Sequence, residues 1–276
     1  MMTVQDQSIR IPWVWLVGLA GGLLFIHLAL DLQRKSYGHL SISLLFWIAV
    51  FTLLSERQAG LKFGSNWLSL GCGAGLLVAL VARSIAVPGG RILGFYPFVA
   101  LLGLGLMASG FRYLGQYRQE LIGLFFLGFP QLISLKSWDI SPLTARLSSW
   151  MLWYSGFPVL RQGTYISLFP SGGVKVVPEC SGLNLMLYMF GVSVVFLMLF
   201  PRRGKQRLIL PLLAVSLGFL INGVRVALLA FLSAANNPQA FDYWHSQEGA
   251  FVFVLLAVGV FSGLCWLSFR VNSPKK

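Results

Sequence analysis

The chain has 276 residues, of which 57% are apolar and 11% charged, with a mean hydropathy of +0.76. Soluble domains carry about 25% charged residues, so this composition excludes that class, and no polar stretch is long enough to make a separate soluble domain. Twenty-one Lys and Arg against eight acids give a net charge of +13, which indicates nucleic acid only if gathered in a patch; spread between apolar runs, it sets membrane topology.

A spanning helix needs about 20 mostly apolar residues. Eight stretches qualify: 11–30, 38–54, 66–87, 92–110, 121–135, 181–200, 208–233 and 246–268. The weakest is 121–135, which is short and carries Pro130. The first has a weak basic flank and a poor cleavage pattern, so it reads as an anchor rather than a removed signal. With the N-terminus inside, 12 of the 21 positive residues fall in cytoplasmic segments and 7 in outer ones. The densest cluster, 201–207, fixes that orientation best. The expectation is an all-α, multi-pass protein of the cell's inner (cytoplasmic) membrane, one domain over 1–276, with membrane lipid and not nucleic acid around it.

Segment 136–180 is the one sizeable connection, on the outer face in this topology. Residues 141–155 predict an amphipathic helix, with Ser141 able to cap it and Pro142 suited to its first turn. Leu143, Leu147, Trp150, Met151 and Tyr154 form its apolar stripe, which would lie at headgroup depth. Tyr165–Phe169, a Pro-Ser-Gly-Gly turn and Val174–Val177 read either as a short hairpin or as an ordered linker. Loop 236–245 faces the same side.

Inside hydrocarbon the informative residues are the costly ones. Arg225 lies in an apolar run, Leu220 to Ala230, with Asn222 on the same helical face three residues earlier. Arg83, near a helix end, reads as a snorkelling side chain. Cys180 lies in Pro178-Glu-Cys-Ser-Gly-Leu183, where Pro178 ends a strand and the next residues open a helix. A thiol at a helix N-terminus is poised to react as thiolate, and Gly182 permits close approach of a substrate backbone. His245 closes Asp242-Tyr-Trp-His245 at the outer start of the last span. Cys180, Arg225 and His245 come from three successive spans and one membrane face. They supply a nucleophile, a donor for an oxyanion and a general base. Cys72 and Cys265 read as packed thiols, and His27 and His39 as interfacial structure. No acid lies in the middle of a span, which argues against a carboxylate relay. There is no HExxH, CxxC or GxSxG pattern, so neither a metal nor a cofactor is expected.

At these residues the chain resembles the exosortase/archaeosortase family of multispanning cysteine transpeptidases. Three signatures carry the resemblance: Pro178-Glu-Cys-Ser-Gly-Leu183, Asn222-Gly-Val-Arg225, and His245-Ser-Gln-Glu-Gly249. It is best over 176–268, and the chain's length is that of the short bacterial forms, cyanobacterial ones included. The resemblance implies cleavage of exported proteins at a C-terminal sorting signal: a Pro-Glu-Pro-type motif, a hydrophobic span and a basic tail. It also implies transfer of the new carboxyl end to an acceptor that the sequence does not name. Cys180 would be the nucleophile, His245 the base or acid, and Arg225 the group that stabilises the oxyanion or orients the substrate. Asn222, Gly182 and Gly249 would support them. The competing reading is a transporter or channel that binds an anionic substrate at Arg225. The glycine-rich runs Leu70–Gly75 and Leu101–Gly105 could admit a substrate's span or serve internal packing.

Overall fold

A computed structural model describes residues 13–87, 91–132, 138–169 and 172–271. Pro170 and Ser171 of the expected turn, residues 133–135 of the fifth expected span, and Arg10, Lys136, Lys275 and Lys276 of the charge count lie outside the described residues. The chain's contacts gather into two compact units, Met1–Leu132 and Ile133–Lys276.

The first unit is built from helices α1 (Trp13–Gln33), α2 (Tyr37–Arg57), α3 (Trp67–Ala86), α4 (Tyr96–Tyr113) and α5 (Arg118–Gly128). Asn66 starts α3 through a reciprocal capping box with Ser69. The glycine-rich runs have an internal use: a Cβ on Gly73 would stand 2.6 Å from the Gly103 carbonyl oxygen, so these two glycines let α3 and α4 touch backbone to backbone. Leu23, Leu77, Leu80, Tyr96, Ala100 and Leu104 fill the space between α1, α3 and α4.

Seven helical stretches among the described residues are long and apolar enough to cross a membrane, against eight expected. The difference lies in residues 93–131, a single apolar stretch that turns back on itself. Gly110, at φ +65°, breaks α4, and Ser109, Gln116 and Tyr117 hydrogen-bond across the bend. The return arm packs against the start of α4: Gly128 abuts the Phe95 ring, and the Gly94 amide donates to Gln131 Oε1 at 3.2 Å. Helix α5 runs straight on into a 3-10 turn, Phe129–Gln131. Glu120, fully buried in α5, is paired with Arg57 from the end of α2.

The second unit opens with α6 (Ser141–Tyr154) and a sheet of three short strands, β1 (Val159–Gln162), β2 (Tyr165–Leu168) and β3 (Gly173–Lys175). All pairings are antiparallel, in the order β1-β2-β3. The expected hairpin is β2–β3, with Ile166 opposite Val174. Strand β1 is an addition, joined to β2 by Gly163-Thr164 with Gly163 at φ +62°. Then follow α7 (Leu183–Leu199), α8 (Gln206–Ala234), α9 (Pro238–His245) and α10 (Gln247–Val271). The segment expected as loop 236–245 is therefore helical from Pro238 on, and the Asn237 side chain caps it by accepting from the Ala240 amide.

Helix α6 departs from its expected cap and from the simple amphipathic pattern. Asp139 Oδ1, rather than Ser141, accepts an amide at the helix start, from Ser141 at 2.9 Å. The buried face consists of Ser141, Thr144, Ala145, Ser148, Ser149 and Leu152, while Leu143, Trp150, Trp153 and Tyr154 are exposed. Small residues allow α6 to lie close on α8 and the sheet, where Ala145, Leu152, Ile166, Leu168, Val176, Val226, Ala227 and Ala230 form one core. Ser233 fastens the sheet to the end of α8 by bonding both the amide and the carbonyl of Gly173.

Candidate active site

The site grows from the order of elements in the second unit. Helix α8 continues nine residues past Arg225, to Ala234, about 14 Å of helix. Helix α9 then folds back beside it and returns the chain to the level of Arg225. The guanidinium donates to the Trp244 carbonyl through Nε and Nη2, both at 3.3 Å, and to the His245 carbonyl through Nη2 at 3.0 Å. An Arg within an apolar span usually reaches along its own helix for polar company. Here polar backbone at a helix C-terminus is brought to it, and cations suit that end of a helix.

This clamp fixes His245, the last residue of α9. The sequence placed it at the start of the last span, and Ser246 alone separates it from α10. Phe241, one turn earlier, stacks on the imidazole at 5.5 Å. Gly249 explains the fixed distance to a glycine: its Cβ would stand 2.4 Å from the Tyr243 carbonyl oxygen. Without a side chain there, the first turn of α10 can press against the end of α9.

Cys180 arrives from the other direction. It closes a single 3-10 turn, Pro178–Cys180, and its amide is already bonded to the Val177 carbonyl. The start of α7 comes later, with Gly182 as its N-cap. The groups that act on the sulfur are therefore side chains rather than free helix amides. His245 Nε2 lies 3.9 Å from Sγ, and the Arg225 guanidinium is within electrostatic range. Cys180 is half-buried and His245 exposed, so the pair is open to a large substrate.

Three bonds hold the turn that carries the thiol. Asn222 Nδ2 donates to the Cys180 carbonyl at 3.0 Å, the Thr144 hydroxyl to the Ser181 carbonyl at 2.6 Å, and the Ser181 hydroxyl to the Pro178 carbonyl at 2.7 Å. Gly182 adopts φ +89°, a left-handed conformation, and its Cβ would meet Asn222 Nδ2 at 2.6 Å. In this geometry the missing side chain admits the Asn222 amide. The Ser148 hydroxyl donates to the Gly223 carbonyl at 2.9 Å, and Leu147 fills the space over Gly223. Thus α6 braces the site through Leu147 of its expected apolar stripe and through Thr144 and Ser148, which the sequence did not single out. Their signal was present as a second stripe of small polar residues at helical spacing, opposite the large apolar one.

Cys180, Arg225, His245, Asn222, Gly182 and Gly249 thus converge on one end of the α7–α8–α10 group. Cys72 in α3 is exposed and Cys265 in α10 is buried, and neither belongs to this cluster. His27 and His39, expected as interfacial structure, lie on α1 and α2 near the turn that joins these helices. They are buried in the first unit beside Asp31, which sits within α1 because that helix runs to Gln33 rather than ending near residue 30.

The sequence profile of a family described as transmembrane exosortase matches residues 33–262, a span that crosses both units. Searches of curated proteins and of solved structures give no match.

Proposed function

The chain belongs to the transmembrane exosortase family and is a membrane-embedded enzyme that processes sorting signals, and we propose that it does so as a cysteine transpeptidase using Cys180. The observation that carries this reading is the single contact between Cys180 Sγ and His245 Nε2, 3.9 Å apart, with Arg225 holding the histidine's carbonyl. Apo distances of this kind shorten when a substrate excludes water.

In the proposed reaction His245 Nε2 takes the thiol proton, and the thiolate attacks the scissile carbonyl carbon. The carbonyl oxygen becomes an oxyanion opposite the Arg225 guanidinium, whose fixed charge acts strongly in a poorly hydrated site. The C–N bond then breaks, and the leaving amine takes the proton from Nε2. The product is a thioester on Cys180. An acceptor nucleophile, or water, gives its own proton to Nε2 and attacks the thioester, which releases the thiol. Arg225 has two tasks in this scheme: it holds His245 in register and faces the developing charge with the rest of its fork.

The substrates we propose are exported proteins ending in a Pro-Glu-Pro-type motif, an apolar span and a basic tail. Such a span would bring the motif to the enzyme within the plane of the membrane. The distribution of Lys and Arg supports a site that opens to the outer face of the inner membrane. The direct test is a tagged protein carrying such a signal, expressed with wild-type enzyme or with Cys180→Ala. Wild type is expected to cleave it and Cys180→Ala to leave it intact; cleavage by the variant at the wild-type rate contradicts the reading. A transporter acting through Arg225 would instead show anion flux that Cys180→Ala leaves unchanged.

A further inference from the structure

The first unit contains a second polar cluster that the transpeptidase chemistry does not use. His27 and Asp31, one turn apart on α1, meet His39 on α2 close to the three-residue turn 34–36. His27 and Asp31 are 0% exposed and His39 8%. One ligand atom from each of the three lies within 4.8 Å of the others. His39 Nδ1 is 2.9 Å from Asp31 Oδ2, His27 Nε2 is 3.7 Å from the same oxygen, and the Ser43 hydroxyl is 3.2 Å from His39 Nδ1.

Three ionisable side chains in the apolar interior of a helix group need a reason, because a charge buried without a partner is costly. A hydrogen-bonded pair accounts for Asp31 and His39. It does not account for His27, whose Nε2 is buried, points at Asp31 and has no hydrogen-bond partner. Tyr96 stacks flat on the His27 ring at 5.3 Å and holds it in that orientation.

We propose that His27 Nε2, Asp31 Oδ2 and His39 Nδ1 bind one divalent first-row transition-metal ion, with zinc the first candidate. Two imidazoles and a carboxylate are a donor set such ions favour. Ligand atoms about 2.0–2.2 Å from a tetrahedral ion stand roughly 3.3–3.6 Å from one another. The separations of 2.9 and 3.7 Å from Asp31 Oδ2 fall on either side of that value, and all three atoms lie within 4.8 Å of one another, so binding draws the two imidazoles in around Asp31 Oδ2. Binding through Nε2 places the His27 proton on Nδ1. The 3.4 Å contact from Trp47 Nε1 to that atom is the interaction given up. An ion there ties α1 to α2 at their connection, a crosslink inside the first unit that is independent of Cys180 chemistry.

The test uses the full-length protein in detergent, purified by a tag free of histidine, with metal content measured by mass spectrometry. Wild type is expected to retain about one zinc per chain, or to take up cobalt with visible tetrahedral absorption. His27→Ala, Asp31→Asn and His39→Ala should each lose the ion. Because these variants could also fail to fold, the decisive sample is His245→Ala, which leaves only His27 and His39 as histidines. X-ray absorption on its bound cobalt or zinc should show two imidazoles and an oxygen ligand. Wild type that holds neither metal, or a bound ion with no imidazole shell, overturns the proposal.

Discussion

The two units place histidines in opposite circumstances. His245 in the second unit is exposed and announced by its own local sequence, with a glycine four residues later and a cysteine and an arginine in short motifs upstream. His27 and His39 in the first are buried and have no such surroundings; they gain meaning only when α1 and α2 pack and bring Asp31 between them. Chemistry that needs fixed backbone contacts, such as Gly249 against Tyr243 or Gly182 against Asn222, imprints residue types at short spacing. Chemistry assembled by helix packing leaves isolated polar residues in apolar runs.

That comparison can be broken most severely at the thiol. Cys180→Ala should reduce processing to background, whereas Cys72→Ala, at an exposed position, should change it by no more than about twofold. Next, His245→Ala should slow processing by about 10²–10⁴-fold, the usual contribution of a general base, as measured by the rate of signal cleavage. Arg225→Lys retains a charge but loses the planar fork that bonds two carbonyls at once; a loss of about 10²–10³-fold is expected. A variant as active as wild type would separate Arg225 from His245. Smaller still are the supports. Gly182→Ala should lower stability by about 1–2 kcal/mol, because an alanine in the left-handed region is strained and its Cβ collides with Asn222; thermal unfolding in detergent measures this. The smallest expected effect is that of His39→Ala on alkylation of Cys180, which should proceed at the wild-type rate if the two clusters do separate work.

Much of the fold was legible because a membrane forces its segments to be long and apolar. The expected spans at 38–54, 66–87 and 208–233 coincide with α2, α3 and α8 to within about three residues. The break at Gly110 falls where the expected spans 92–110 and 121–135 part, and the return arm α5 overlaps the second of them. Helix α9 was missed because its eight residues carry no apolar run, only the Asn237-Pro238 start signal. Strand β1 hid behind Arg161 and Gln162, although the Gly163-Thr164 turn that pairs it was visible. At the site, the sequence brought Cys180, Arg225 and His245 together through their motifs. It could not show that Arg225 works through two backbone carbonyls, or that Thr144 and Ser148 brace the turn from α6, since those contacts join residues 19 to 75 positions apart.

The central claim is that Cys180 carries the substrate covalently. The most direct measurement is intact-mass analysis of full-length enzyme quenched in acid during turnover of a tagged protein bearing the sorting signal. The expected result is an adduct on Cys180 with the mass of the substrate chain up to its new carboxyl end, less one water, released by hydroxylamine as a thioester must be. Turnover that proceeds at full rate with no such adduct, and that continues in Cys180→Ala, would contradict the account.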